Sequence, residues 1–274
     1  MTKLVYLDTN VFNKLIEEEF FSNIHKRILQ DALNNGKISI PLSIINLEEV
    51  FLTLESHPNK ADKLFHILSE ITDCRKMIKP PEILLAEDVK SYIKNRAPSN
   101  PFFSDSTLKI NHKQLRNPKR RMEFNEIISK IKAEKINFKL ENIAASKIVL
   151  FEAERLHPVP TFGEFCELHR NLFSRDLIEK VGLLEESKYL NIINLIVIRS
   201  VRLFVGWCVS YIYGQLFEKR KPNRGDSRDM RHAVLASVAD IFVTYDRNLA
   251  ELMKRIPIKN LEICTDIHEL LRSI

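Results

Sequence analysis

The sequence predicts an α/β fold in which a parallel sheet, assembled from both ends of the chain, hosts a large helical insertion. Three observations lead there. The β-rich run LVYL (4–7) and the run KISIP (37–41) are each followed by helical spacing. The same alternation returns at the other end, with DIFVT at 240–244 and a further run at 259–264. Between them, from about 60 to 220, the periodicity is helical with few strand candidates. The expected division is an α/β core from 1–59 and 221–274, with 60–220 as a mainly helical, all-α insertion. A chain of 274 residues, 45% hydrophobic and 28% charged, can bury a core of this size, and that composition excludes a disordered polymer.

Taken in order, residues 12–34 show helical spacing, with Phe21, Ile24, Ile28, Leu29 and Ala32 on one face and Asn35–Gly36 as the stop. LSIINLEEVFLTLE follows the second strand and places Ile45, Val50, Leu52 and Leu54 at helical positions. Helices are expected over 61–71, 82–94, 121–134, 141–156, 162–186 and 190–218. Thr161 with Glu164 reads as a capping box that turns Phe162, Phe165 and Cys166 inward. Residues 97–120 have the turn and charge content of a long loop. A helix at 227–239, the strand at 240–244, a helix at 246–255, the strand at 259–264 and a short final helix complete the chain.

Lys and Arg outnumber Asp and Glu by 42 to 36, a net charge of +6, which favours a polyanionic partner or a basic solvated surface. The four cysteines lie far apart and no secretory pattern precedes the first strand, so a reduced, cytoplasmic protein is expected. The most apolar stretch, 190–217, is long enough to span a bilayer. It carries Arg199 and Arg202 near its middle, however, so it is read as a buried helix and no membrane is expected.

Parallel α/β sheets bind ligands beyond the carboxyl ends of their strands. Asp8 falls at that edge, as does Asp246, two residues after DIFVT. Glu49 lies in the first turns of the helix after strand two, and Asp229 in the first turn of the helix leading into DIFVT. Asp8 also reads as a helix cap, Asp226 and Asp229 as a capping pair and Asp246 as an N-cap. Together they form an anionic cluster that repels itself unless a cation occupies it. Mg2+ or Mn2+ suits such an oxygen-rich site, where it would activate water against a phosphate.

YLDTNVF followed by a helix, INLEEVF after the second strand, and DMRHAVLASVADIFVTYDRNL near the C-terminus resemble the three motif blocks of PIN-domain nucleases. The resemblance covers roughly 1–56 and 224–274. It implies a three-layer αβα sandwich around a parallel sheet of about four to five strands. It also implies a Mg2+ or Mn2+ site that hydrolyses phosphodiester bonds, usually in RNA rather than DNA. It assigns Asp8, Glu49, Asp229 and Asp246 as metal ligands and catalytic acids, with Glu48 as an adjacent candidate. Thr9, Asn10 and Thr244 support the loops. Asp226 and His232 stand beside the third acid, and His232 is placed either to contact the scissile phosphate, to orient Asp229, or to sit neutral in the interior.

Two basic runs supply the substrate argument. The first is Lys113, Arg116, Lys119, Arg120 and Arg121; the second, Lys219, Arg220, Lys221, Arg224, Arg228 and Arg231, leads straight into Asp229. Phe102, Phe103 and Tyr92 read either as base-stacking or as hinge aromatics. The expected function is an endoribonuclease of toxin, defence or RNA-processing type, with the insertion selecting the substrate, binding a regulator or forming a homodimer. The alternative is an inactive PIN-like RNA-binding or protein-interaction module. A haloacid dehalogenase-like phosphatase is a lesser alternative, because Asn10 stands where that family needs an acid and Asp226 to Asp229 is one residue too short. Cys166 and His169 form a lone C-x-x-H, which reads as helix packing and not as a zinc site.

Overall fold

The computed structural model describes residues 2–17, 19–103, 117–135, 158–183, 192–221 and 225–274. The expected helix 141–156, Lys113, Arg116 and Arg224 lie outside the described residues. Strand β1 (Lys3–Leu7) leads through Asp8 into α1 (Thr9–Glu17) and α2 (Glu19–Asn34), then β2 (Ile38–Ser39), β3 (Pro41–Ser43) and α3 (Ile44–Ser56). Next come α4 (Pro58–Ile71), β4 (Asp73–Ile78), α5 (Pro81–Ile93), α6 (Pro118–Lys135) and α7 (Phe162–Lys180). A 3-10 turn (Ile192–Val197) precedes α8 (Arg199–Phe217). Then follow α9 (Asp226–Leu235), β5 (Ile241–Val243), α10 (Arg247–Lys254), β6 (Glu262–Cys264) and α11 (Ile267–Ser273).

Four strands form one parallel sheet in the order β2-β1-β5-β6, with helices on both sides. β1 is central, pairing Lys3 with Ile38 on one side and Leu7 with Val243 on the other. A strand covered on both faces needs apolar residues throughout, and Val5, Tyr6 and Leu7 are all buried. Because side chains alternate across a strand, Tyr6 and Phe242 enter one core with α5, α7, α8, α9 and α10. Val5, Leu7, Ile241 and Val243 enter the other, with α1, α2, α3, α4 and α11.

β3 and β4 form a second parallel pair. β4 corrects the expectation of an all-helical stretch over 60–220. Asp73, Arg75 and Lys76 interrupt its sequence, so no period-2 apolar alternation marks it; pairing with buried β3 makes it a strand. Residues 101–103, expected within a long loop, lie along β4, with Phe103 N donating to Met77 O at 3.0 Å and Lys79 N to Pro101 O at 2.9 Å. Phe102 and Phe103 are half-buried against the two cores.

Helix ends follow local chemistry. Thr161 Oγ1 accepts from Glu164 N at 3.3 Å while Glu164 Oε2 accepts from Thr161 N at 2.7 Å, the expected capping box. α2 ends where Gly36 adopts φ +66°, a left-handed position that glycine takes without strain. The face expected to be buried on α2 is only partly so: Leu29 and Ala32 are inside, Ile24 and Ile28 are exposed, and the Phe21 side chain lies outside the described residues. The α3 face also differs, with Ile45 and Val50 buried and Leu52 exposed.

Within the apolar stretch the described residues 192–217 are not one helix: a 3-10 turn and α8 meet at Ile198. Arg199 donates to Ala239 O at 2.5 Å and Asn260 O at 3.3 Å, and Arg202 to Ile196 O at 2.7 Å and Pro257 O at 3.2 Å. Both guanidiniums thus serve loop carbonyls at the edge of the core. Among the described residues, no helix is long and apolar enough to cross a membrane.

Candidate metal centre

The carboxyl ends of β1 and β5 end on polar loops that lock together. Asp8 Oδ2 accepts from Thr244 Oγ1 at 2.7 Å and from Asn10 Nδ2 at 2.8 Å. Asn10 Oδ1 accepts from Tyr245 N at 3.0 Å, so one amide bridges the loops after the two central strands. Thr244 Oγ1 also accepts from Asp246 N at 3.0 Å. Asp8 is therefore a buried carboxylate held at a strand tip, with its Oδ1 free of this network.

Glu49 reaches the same place from α3. Ser43 caps that helix by accepting from Asn46 N at 3.0 Å, which sets the rotation of its first turns. Asn46, buried in the apolar run, donates to Leu7 O at 3.2 Å and to Thr9 Oγ1 at 3.0 Å, and Thr9 in turn hydrogen-bonds Glu49. Glu48, the adjacent candidate, turns instead to Arg231 at 3.3 Å.

His232 stands between the acids, with Nε2 3.3 Å from Asp8 Oδ1 and 3.6 Å from Glu49 Oε2. Its Nδ1 meets the Tyr6 hydroxyl at 2.6 Å. These contacts leave Nε2 without a hydrogen bond although the side chain is 3% exposed. Asp8, Glu49 and His232 are the one group among the described residues whose ligand atoms lie close enough to share an ion.

Charge at the site is divided unevenly. Burial pushes the Asp8 carboxyl above its usual range, opposed by His232 and the Thr244 bond. Burial also raises Asp229, and the charges of Asp246 and Asp8 add to it, carrying the group to about 7. For Glu49 burial acts upward too, but the neighbouring His232, then Thr9 and Arg228, outweigh it and lower the group to about 2. Burial depresses His232, yet Asp8, Glu49 and Asp229 together raise it to about 9. Metal-free, the histidine is the counter-ion of the acids.

Of the four expected acids, Asp8, Glu49 and Asp229 line one open cavity of about 360 Å³, together with Thr9, Asn10, Leu52, Arg228 and His232. Asp246 does not line it: its Oδ1 accepts from Leu249 N at 3.0 Å and caps α10, while its charge still reaches Asp229. Comparison of the chain with protein-family models, curated proteins and solved structures returns no match.

The remaining expected residues are placed as follows. Asp226 is buried away from the cavity, bonded by Tyr211 Oη at 2.7 Å and Arg220 at 3.0 Å. Arg231, expected on a nucleic-acid face, is instead turned inward to Glu48 and Glu82. Arg121 of the first basic run is likewise buried against Asp62 at 2.8 Å and over the Phe65 ring. Arg228 is exposed at the cavity mouth, 3.5 Å from Glu49 Oε1, and Lys219 and Lys221 are exposed upstream of it. His169 packs on the Phe165 ring, and burial raises the Cys166 thiol to about 11. Tyr6, Ser43 and Asn46 were not foreseen. The one sequence signal for them is polar residues inside apolar runs, which a buried strand or helix tolerates only when they are hydrogen-bonded.

Proposed function

We propose that this chain is a Mg2+- or Mn2+-dependent PIN-like nuclease, an endoribonuclease hydrolysing phosphodiester bonds. The observation that carries the reading is the convergence of Asp8, Glu49 and Asp229, from three separate segments, on one open cavity with an exposed arginine at its mouth. Carboxylates so placed raise one another's pKa, a cost that a bound cation removes. When bound, the cation supplies neutralisation of phosphate charge and a more acidic water.

The chain's own residues then have separable tasks. Thr244 and Asn10 hold Asp8, and Thr9 holds Glu49, so the acids do not have to reorganise when a cation arrives. Arg228 binds the phosphate backbone at the mouth, and Lys219 and Lys221 extend the positive approach. The preference for RNA over DNA follows from the PIN resemblance.

The test is incubation of the purified protein with single-stranded RNA and DNA in Mg2+ or Mn2+, beside Asp8→Asn and Glu49→Gln. Cleavage of RNA by the wild type alone supports the proposal, whereas equal cleavage by all three proteins refutes it. A second reading, an inactive RNA-binding module, is favoured by the internal pairing of Glu49 with Arg228 and His232. Under that reading the protein binds RNA, and neither cation raises its melting temperature.

A further inference from the structure

The hydrogen bonds behind His232 determine which of its ring nitrogens faces the acids. The carbonyl of Leu7 can only accept, so the end of the Asn46 amide 3.2 Å from it is the NH2 group. The other end is then the oxygen, and the Ser43 hydroxyl 2.5 Å away must donate to it. With its one proton engaged, Ser43 accepts from Asn46 N and from the Tyr6 hydroxyl at 3.5 Å. A Tyr6 hydroxyl that donates to Ser43 accepts from His232 Nδ1, the arrangement that leaves Nε2 its lone pair for a cation.

Nε2 is left pointing at the cavity. It lies 3.3 Å from Asp8 Oδ1 and 3.6 Å from Glu49 Oε2 and makes no hydrogen bond, in a side chain that is 3% exposed. In the metal-free protein Nε2 is held only by the charges of the two carboxylates, and a cation between the three groups would replace that pairing with direct bonds. Ligand atoms bound to one cation by bonds of about 2.1 Å lie about 3 Å apart, close to the 3.3 and 3.6 Å that separate Nε2 from the two carboxylate oxygens.

We propose that His232 Nε2 is a nitrogen ligand to the cation held by Asp8 and Glu49, and that the site takes a first-row transition ion such as Mn2+ in preference to Mg2+. This rests on the nuclease reading and deepens it by naming the class of cation. Imidazole is a good ligand for first-row transition ions, whereas Mg2+ selects oxygen and keeps its waters. The Tyr6, Ser43 and Asn46 chain is the outer shell that holds the ring and its tautomer. It continues through Thr9 to Glu49, so one network positions a nitrogen and an oxygen ligand together.

The probe is Mn2+ alone, added to the full chain and read by pulsed electron paramagnetic resonance, with Mn2+ and Mg2+ affinities from calorimetry. Wild type is expected to bind Mn2+ more tightly than Mg2+ and to show nitrogen hyperfine coupling, which His232→Gln loses. Tyr6→Phe keeps the ring packing and reads the same network should His232→Gln fold poorly; its Mn2+ affinity is expected to drop by about tenfold with little change for Mg2+. Tight Mn2+ binding without nitrogen coupling, or equal affinity for the two ions, overturns the nitrogen ligand and leaves the nuclease reading standing. Failure of both ions to bind overturns both.

Discussion

The Tyr6 hydroxyl stands 2.6 Å from Nδ1 of His232, a bond across 226 residues of sequence that ties the central strand to the helix carrying Asp229. Burial holds the Tyr6 phenol well above its usual pKa, so it enters this bond as a neutral group. The histidine is thereby fixed from behind while its other nitrogen faces the acids.

Removing the phenol oxygen tests the stabilising part of that bond. Tyr6→Phe is expected to destabilise the metal-free protein by roughly 1 to 3 kcal/mol, because it leaves buried His232 Nδ1 and Ser43 with an unmet partner. Urea unfolding measures it as a lower midpoint at unchanged slope. An unchanged midpoint would show that the bond contributes nothing.

Cation binding should register as stability. At Mn2+ concentrations about a hundredfold above Kd, a single site stabilises the folded protein by about 2.7 kcal/mol. Thermal melts of wild type are expected to rise with Mn2+, and those of Glu49→Gln to rise little, since Glu49 provides one of the three clustered ligand groups. A rise of equal size in the variant would place the ion elsewhere.

The pH dependence of the metal-free protein follows from His232 and Glu49. His232 is raised from 6.5 to about 9 when folded, so its contribution is complete below pH 6.5 and is lost as pH rises through 9. Glu49 is lowered from 4.5 to about 2, so its contribution is present above pH 4.5 and is lost as pH falls toward 2. Denaturation followed from pH 7 to 9 should show declining stability, and His232→Gln should flatten that limb. A limb of the same slope in the variant would assign the decline to other groups.

Asp246 has two separable roles, a cap for α10 and a charge near Asp229. Asp246→Ala should lower stability by about 0.5 to 2 kcal/mol, while Asp246→Asn, which still caps, should keep it within a few tenths. If the charge also serves cation binding, Asp246→Asn alone weakens Mn2+ affinity. Calorimetry on the two variants separates cap from charge, and equal destabilisation by both would rule out the capping role.

Much of the architecture was legible because it follows from local chemistry. The continuous apolar run of β1 marks a strand buried on both faces, and Thr161 with Glu164 marks a helix start, since a capping box needs no tertiary partner. β4 was not legible, because its charged residues hide it until β3 supplies a partner. Asp8 was visible as an acid at a strand tip. The inward turn of Arg231 was hidden, because a basic residue reads alike whether it meets solvent or the buried Glu82.

By itself the sequence determined which residues end strands, cap helices and fill the core, since backbone propensity and apolar periodicity act over a few residues. Only the tertiary structure decided that His232 and not Asp246 joins Asp8 and Glu49, because helix rotation and loop packing set that choice to within an ångström. The same folding built the hydrogen-bonded chain behind His232, running from Leu7 through Asn46 and Ser43 to Tyr6, which no stretch of sequence brings together.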